Sequence, residues 1–126
     1  MKKKVLVTDD NADIRETVKA VLEFEDMDVV MAQDGKTALE QIAKERPDLI
    51  LLDLKMPGMT TNEFITIYQK LKLKMPIILF SASRERETKE NIEKLETGGF
   101  KTADYIEKPF ENEDLVKRIK KVLNKH

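Results

Sequence analysis

Residues 49–53, Leu49-Ile50-Leu51-Leu52-Asp53, form a continuous apolar run that stops at a carboxylate. Three other short apolar runs end close to polar residues, namely Asp9 and Asp10, Ser81, and Lys108. Runs rich in valine, isoleucine and leucine, without alternation, are typical of strands covered on both faces. In an open parallel sheet the carboxyl ends of the strands form the crevice where ligands bind. We therefore expect four distant stretches to meet in one site.

The composition indicates one globular domain without a strong charge of either sign. The 126 residues are 40% hydrophobic and 37% charged, and 23 lysines and arginines balance 24 acids. A net charge of -1 gives no general attraction to nucleic acid or to an anionic membrane. The absence of cysteine excludes disulfides and thiolate metal sites. We expect a single domain over residues 1–126, without an output domain, in a soluble, cytoplasmic protein.

Short apolar runs and stretches with helical spacing alternate along the chain. The predicted strands are 4–8, 28–31, 49–53, 77–81 and 103–106. Glycine and proline fall between these segments, as in Asp34-Gly35 and Gly98-Gly99. Five strand–helix units in this order predict a doubly wound α/β fold. Its five-stranded parallel sheet would be flavodoxin-like, with helices on both faces and right-handed crossovers.

Apolar residues at helical spacing predict the helices between the strands. The third helix is expected to follow the capping pair Thr60 and Glu63 and to bury an apolar face that extends to Leu71. The fourth helix, over 85–97, has only Ile92 and Leu95 as strong apolar anchors. We expect it to pack loosely and to stay largely solvated, as surfaces that move often do.

The meeting of Asp9, Asp10 and Asp53 creates an electrostatic problem. Two carboxylates about 4 Å apart repel each other by about 4 kcal/mol at an effective dielectric constant of 20. A cation would relieve that repulsion, and a site with only oxygen ligands favours a hard divalent ion. Mg²⁺, which commonly binds through one or two carboxylates plus phosphate oxygens, is the leading candidate, and Mn²⁺ is the second.

A carboxylate beside such an ion can attack phosphorus and form an acyl phosphate. Asp53 is the best candidate for this nucleophile because it stands alone at the end of the central apolar run, whereas Asp9 and Asp10 would hold the metal. Lys108 would neutralise a phosphoryl oxygen as a point charge, and Ser81 would donate a hydrogen bond to another. Phosphoryl transfer needs mainly this positioning and charge neutralisation.

The segments that carry these residues resemble those of a known family. They are Val7-Thr8-Asp9-Asp10-Asn11, Leu52-Asp53-Leu54-Lys55-Met56-Pro57-Gly58-Met59, Phe80-Ser81-Ala82 and Tyr105-Ile106-Glu107-Lys108-Pro109-Phe110. Each segment is weakly specific alone. Together, in this order at strand ends, they make the whole chain resemble a receiver domain of two-component response regulators, similar to the chemotaxis regulators.

The resemblance implies a function and a set of roles. Asp53 would accept a phosphoryl group from a sensor histidine kinase or a phosphotransfer protein and lose it by hydrolysis. Asp10, Asp53 and the backbone carbonyl of Lys55 would bind Mg²⁺ directly, with Asp9 acting mainly through water. The domain would be a signalling switch rather than an enzyme. It would act on a downstream protein target, without direct contact with nucleic acid or membrane, as a monomer or a phosphorylation-dependent dimer.

The resemblance also implies how the switch works. Ser81 would move towards the phosphoryl group, Tyr105 would swing inward with it, and the face of the fourth helix, fifth strand and fifth helix would be remodelled for a partner. The family further suggests a cis Lys108-Pro109 bond. Two features depart from its pattern. Residues 96–103 form a longer connection than the compact Ala-Gly-Ala type, and Thr8 stands where many members have a small or apolar residue.

Two other functions stay open. A magnesium-dependent phosphohydrolase of doubly wound fold often has a second aspartate two residues after its nucleophile, where this chain has Lys55. A receiver-like interaction module that no longer accepts phosphate is disfavoured by the complete set of acids. A GTPase is disfavoured more strongly, since no Gly-x-x-x-x-Gly-Lys loop follows the first strand. The basic residues at 117–121 favour a solvated helix face over a nucleic-acid contact, and His126 receives no role.

Overall fold

The computed structural model describes residues 2–81 and 85–125, except for the side chains of 85–88 and 91, and within this part strands and helices alternate strictly. The strands are β1 Lys4–Thr8, β2 Asp28–Ala32, β3 Leu49–Asp53, β4 Ile77–Ser81 and β5 Asp104–Glu107. The helices are α1 Ala12–Phe24, α2 Gly35–Glu45, α3 Thr61–Lys70, α4 Glu85–Thr97 and α5 Asn112–Lys125. Ala82, part of the third family segment, and His126 lie outside the described residues.

The strands form one parallel sheet in the order β2-β1-β3-β4-β5. This topology confirms the predicted doubly wound, flavodoxin-like fold. Three predicted strand boundaries, the end of β2 and both ends of β5, differ by one residue from the observed ones. β2 extends to Ala32 because this residue pairs with Thr8, and β5 extends to Glu107 because this residue pairs with Ser81.

Two apolar layers cover the two faces of the sheet. Alternation along β1 sends Val5 and Val7 to the layer formed with α1 and α5, and sends Leu6 to the layer formed with α2, α3 and α4. Every residue of β3 and β4 is buried, as expected for strands enclosed on both sides. Within the described part of the chain, no helix has the length and apolar character needed to cross a lipid bilayer.

The predicted capping pair begins α3. The Thr60 hydroxyl accepts the Glu63 N–H at 3.1 Å, and the Glu63 carboxylate accepts the Thr60 N–H at 3.3 Å. The predicted extension of the buried face to Leu71 is wrong, since this residue is 60% exposed. α3 ends one residue earlier, and Lys72 adopts a left-handed φ of 55°. This turn leaves Leu71 in solvent and returns Leu73 to the core.

The longer connection after α4 closes that helix with a Schellman turn. Gly99 has a φ of 93° and donates its N–H to the Glu96 carbonyl at 3.0 Å, while Phe100 donates to the Leu95 carbonyl at 3.2 Å. Phe100 and Leu95 are both buried in the same apolar layer. The extra residues therefore fix the end of α4 at the core, and the helix keeps its predicted bounds.

The described side chains of α4 agree with the prediction that few apolar residues hold this helix to the core. Leu95 is buried and Ile92 is half-buried, whereas the charged side chains at 89, 90, 93, 94 and 96 are exposed. Among the described side chains, Ile92 and Leu95 are therefore the ones that hold this helix to the sheet.

Thr8 provides a test of the β1 packing. Its side chain is fully buried, and its hydroxyl has no hydrogen-bond partner within residues 2–81 and 85–125. An unsatisfied buried hydroxyl costs about 1–3 kcal/mol. We expect Thr8→Val, which keeps the shape and removes the hydroxyl, to raise the free energy of unfolding by about 1 kcal/mol in urea denaturation.

Thr102→Val is the matched control, because the Thr102 hydroxyl donates to the Asp104 carbonyl at 3.0 Å. This variant is expected to lose about 1 kcal/mol. If both variants lost stability to the same extent, the Thr8 hydroxyl would have a partner in solution.

Candidate functional site

The carboxyl ends of β1 and β3 bring three acidic side chains together. Thr8 pairs with Leu52 in the ladder between these strands, so the following residues, Asp9 and Asp53, lie side by side. One carboxylate oxygen from each of Asp9, Asp10 and Asp53 lies within 4.8 Å of the others. The structure therefore brings together the three carboxylates that the strand ends predicted.

Asp9 is fully buried and has both carboxylate oxygens engaged. Oδ1 accepts the Asn11 N–H at 2.9 Å, and Oδ2 accepts a hydrogen bond from Lys108 Nζ at 2.5 Å. Its backbone is also fixed, because the carbonyl accepts a hydrogen bond from Arg15 Nη1 at 2.6 Å and the N–H donates to the Ala32 carbonyl at 3.1 Å. These hydrogen bonds fix the orientation of the Asp9 carboxylate and place a positive charge beside it.

Asp53 is 4% exposed but less fully satisfied. Oδ1 accepts the Lys55 N–H at 3.0 Å, and Oδ2 lies 3.4 Å from Lys108 Nζ. Burial raises the pKa of Asp53, against the hydrogen bond from Lys55 and the charge of Lys108, and the charge of Asp9 raises it further. Asp10 is exposed, so its carboxylate is in contact with solvent. Asp10 and Asp53 are therefore the carboxylates best placed to bind a cation directly.

Lys108 connects the acidic cluster to the last two strands. Its side chain is 11% exposed, and Nζ lies 4.5 Å from the centre of the Phe80 ring, which the strand register places next to Asp53. The backbone N–H of Lys108 donates to the Ser81 carbonyl at 2.9 Å, and the Lys108-Pro109 bond is cis. The ammonium group is thus positioned between two carboxylates by its own strand end.

Ser81 and Tyr105 lie near this site but towards the other face of the sheet. Ser81 is 1% exposed at the end of β4, two residues after Leu79, which packs in the layer with α2, α3 and α4. Tyr105 is half-buried against the same layer, and its carbonyl accepts a hydrogen bond from Arg118 Nη1 at 3.2 Å. Alternation therefore places both residues on the α4 side of the sheet.

Three contributors to the site were not predicted from the sequence. Phe80 provides the ring under Lys108, Arg15 holds the Asp9 carbonyl, and Asn11 caps α1 by accepting the N–H groups of Asp13 and Ile14. Asn11 could have been found, because asparagine directly before a helix is a standard N-cap. The other two contacts depend on tertiary structure.

A doubly wound sheet with clustered carboxylates and a lysine at its carboxyl edge is suited to binding a cation and a phosphoryl group. The family model of the response regulator receiver domain matches residues 5–120, and the chain belongs to this family. Receiver domains are signalling domains of two-component systems, and they interact with histidine kinases and downstream effectors.

Individual proteins agree with this assignment. The chain is 38% identical over 127 residues to the phosphate regulon transcriptional regulatory protein PhoB of Escherichia coli K12, covering 99% of this chain and 53% of that protein. The chain thus spans about half the length of the curated relatives it matches.

Solved structures give the same result. The receiver domain of the Francisella response regulator 1452 has a TM-score of 0.84 and 32% identity, with 98% of each chain covered. Vibrio cholerae chemotaxis protein CheY4 has a TM-score of 0.82 and 31% identity, covering 97% of this chain and 99% of that chain.

The raised pKa of Asp53 predicts a pH-dependent stability difference. A carboxyl group whose pKa is raised by folding contributes fully to stability at pH values below its pKa in the unfolded chain, about 3.9. That contribution is lost as the pH rises through the pKa of the group in the folded protein. We expect Asp53→Asn to be more stable than the native chain at pH 7 in EDTA. The difference should shrink as pH falls towards 4 in urea denaturation.

Asp34→Asn serves as the control with the opposite sign. A hydrogen bond from the Thr37 N–H lowers the pKa of Asp34, so its ionised form stabilises the fold above the unfolded pKa. This variant should be less stable than the native chain at pH 7, with a loss that fades in acid. A pH-independent effect of Asp53→Asn would contradict the account.

Proposed function

We propose that residues 1–126 act as one receiver domain that accepts a phosphoryl group on Asp53 from a sensor histidine kinase or a phosphotransfer protein. The observation that supports this function is the environment of Asp53. Its carboxylate is almost buried, lies beside Asp9, and has one oxygen held by the Lys55 N–H while the other faces the Lys108 ammonium group. This arrangement fixes the orientation of the Asp53 carboxylate, the proposed nucleophile, and keeps it close to the positive charge of Lys108.

The proposed transfer forms one bond and breaks one bond. A carboxylate oxygen of Asp53 attacks phosphorus, and the P–N bond of the donor phosphohistidine breaks as the imidazole leaves. Lys108 moves its charge from the carboxylates to a phosphoryl oxygen, a movement of its side-chain end alone since its backbone is fixed to Ser81. Water later attacks the acyl phosphate, which restores Asp53 and releases inorganic phosphate.

We assign Mg²⁺ to the acidic cluster, with Mn²⁺ as the second candidate. Asp10, Asp53 and the backbone carbonyl of Lys55 would be direct ligands, and Asp9, which holds the Lys108 ammonium group more closely than Asp53 does, would act through water. The ion would supply positive charge to the phosphoryl oxygens. The all-oxygen donor set fits a hard divalent ion.

The output would be a change in a protein-binding face. Ser81 would bond the phosphoryl group, Tyr105 would move inward, and α4, β5 and α5 would change shape. Both residues lie on the side of the sheet that carries α4, and the described half of α4 has few buried anchors, which supports the coupling. The partner would be a protein rather than nucleic acid or a membrane, and the domain would be a monomer or a phosphorylation-dependent dimer.

Phosphate uptake tests the acceptor. We expect one phosphate per chain in the intact mass after incubation with acetyl phosphate and Mg²⁺, and none with EDTA or for Asp53→Asn. Asp13→Asn, which changes an exposed aspartate in the first turn of α1, should take up phosphate normally. Equal uptake by Asp53→Asn would overturn the proposal. Repeated turnover of phosphate esters would instead favour the phosphohydrolase.

Metal affinity tests the ligand assignment. We expect Asp10→Asn to weaken Mg²⁺ binding by at least about tenfold in calorimetric titration, because it removes an exposed direct ligand. Asp13→Asn should bind as the native chain does. An unchanged affinity for Asp10→Asn would mean that this carboxylate is not a ligand.

A further inference from the structure

A second concave site lies at the opposite end of the sheet from the acidic cluster. A cavity of about 500 Å³ opens between the segment before β4, the start of β5 and the last turns of α5. Four lysines line it, and an adjoining cavity of about 260 Å³ shares two of them and adds a fifth. We call these five residues the basic pocket: Lys72, Lys74, Lys101, Lys121 and Lys125.

Within the described part of the chain, no ion pair compensates the charges of the basic pocket. All five lysines are exposed, and none forms an ion pair with another residue in the described ranges 2–81 and 85–125. The carboxylate in the wall, Asp104, is already paired with Arg118 Nη1 at 3.0 Å. The pocket therefore has a large excess of positive charge in a chain whose net charge is -1.

Helix dipoles account for only a small part of this excess. Lysines are favourable near helix C-termini, and α3 and α5 both end at this side of the sheet. Each helix end is equivalent to about −0.5 charge, so the two ends offset roughly one of the five lysines. The remaining charge favours an external anion.

The walls of the pocket are ordered and partly apolar. Met75, Pro76 and Val122 contribute apolar surface. The Tyr68 hydroxyl donates to the Met75 carbonyl at 2.7 Å, and the Thr102 hydroxyl donates to the Asp104 carbonyl, which fixes the segments that carry the lysines. A volume of about 500 Å³ lies within the usual range for small-molecule sites.

We propose that the basic pocket binds a polyphosphate group, carried by a nucleoside triphosphate or by inorganic polyphosphate. Lysine is a point-charge ligand for phosphate, and adjacent phosphates concentrate several charges in a small volume. An acidic peptide fits less well, because an extended chain places side chains of one face about 7 Å apart. Single-stranded nucleic acid normally stacks on aromatic rings, and the two aromatic rings in this wall, Tyr68 and Phe100, already pack edge-to-face against each other.

The backbone at Lys72 offers a clean test variant. This residue has a left-handed φ of 55°, a conformation that favours glycine. Lys72→Gly therefore removes a charge without adding backbone strain, so weaker binding by this variant would not reflect unfolding. Lys74→Gln with Lys125→Gln removes two further charges.

The test is calorimetric titration of the full chain with tripolyphosphate and with ATP, in EDTA so that the acidic cluster holds no metal. We expect saturable binding that weakens with salt, and about tenfold weaker binding for the Lys74→Gln/Lys125→Gln pair. Lys36→Gln with Lys44→Gln, which removes two exposed lysines of α2, should change affinity less than twofold. Tighter binding of ATP would assign a nucleotide, and equal binding would assign the phosphate chain alone.

Three results would overturn the proposal. The first is the absence of saturable binding by either anion. The second is an equal loss of affinity in the α2 control pair. The third is tighter binding of a poly-glutamate peptide or an oligonucleotide through the same lysines. Asp53→Asn should bind tripolyphosphate as the native chain does, so failure here would be separate from failure of the phosphoacceptor function.

Discussion

The acidic cluster is organised around the ammonium group of Lys108, which lies between two carboxylates that are almost completely buried. Asp9 and Asp53 would each cost several kcal/mol as isolated buried charges, and their proximity would add repulsion. Lys108 relieves both penalties, since Nζ contacts both side chains and lies over the Phe80 ring. The balance is incomplete, because two buried carboxylates share one ammonium group. That deficit of positive charge favours the binding of a cation, and under the proposed function the cation would in turn attract the phosphoryl group.

The positions of these three charged groups are set by the fold. Parallel register places Asp9 beside Asp53, and the backbone of Lys108 is bonded to the end of β4 through Ser81. Lys108 therefore connects the carboxyl ends of β1, β3, β4 and β5, and a change in the partner of its ammonium group would alter a contact shared by all four. Under the proposed function, Ser81 and Tyr105 would transmit that change on the α4 side of the sheet.

The sequence was sufficient for the architecture and the acidic cluster, because both follow from local patterns. Buried strands appear as continuous apolar runs, and parallel topology brings their polar ends together. Features set by tertiary contacts were missed. Leu71 continues the helical pattern of α3 but lies beyond its end, and the Phe80 ring under Lys108 has no local signature. The basic pocket could not be predicted from the sequence either, because its lysines come from three separate segments.

The most direct measurement of the central claim is a crystal structure of the chain with Mg²⁺ and beryllofluoride, a stable mimic of the phosphoryl group. Beryllium is expected to bond to an oxygen of Asp53, and Lys108 Nζ is expected to leave the carboxylates for a fluoride. Mg²⁺ should lie on Asp10, Asp53 and the Lys55 carbonyl, with Asp9 reached through water. Beryllofluoride on another carboxylate, or a Lys108 that stays between Asp9 and Asp53, would contradict the central claim.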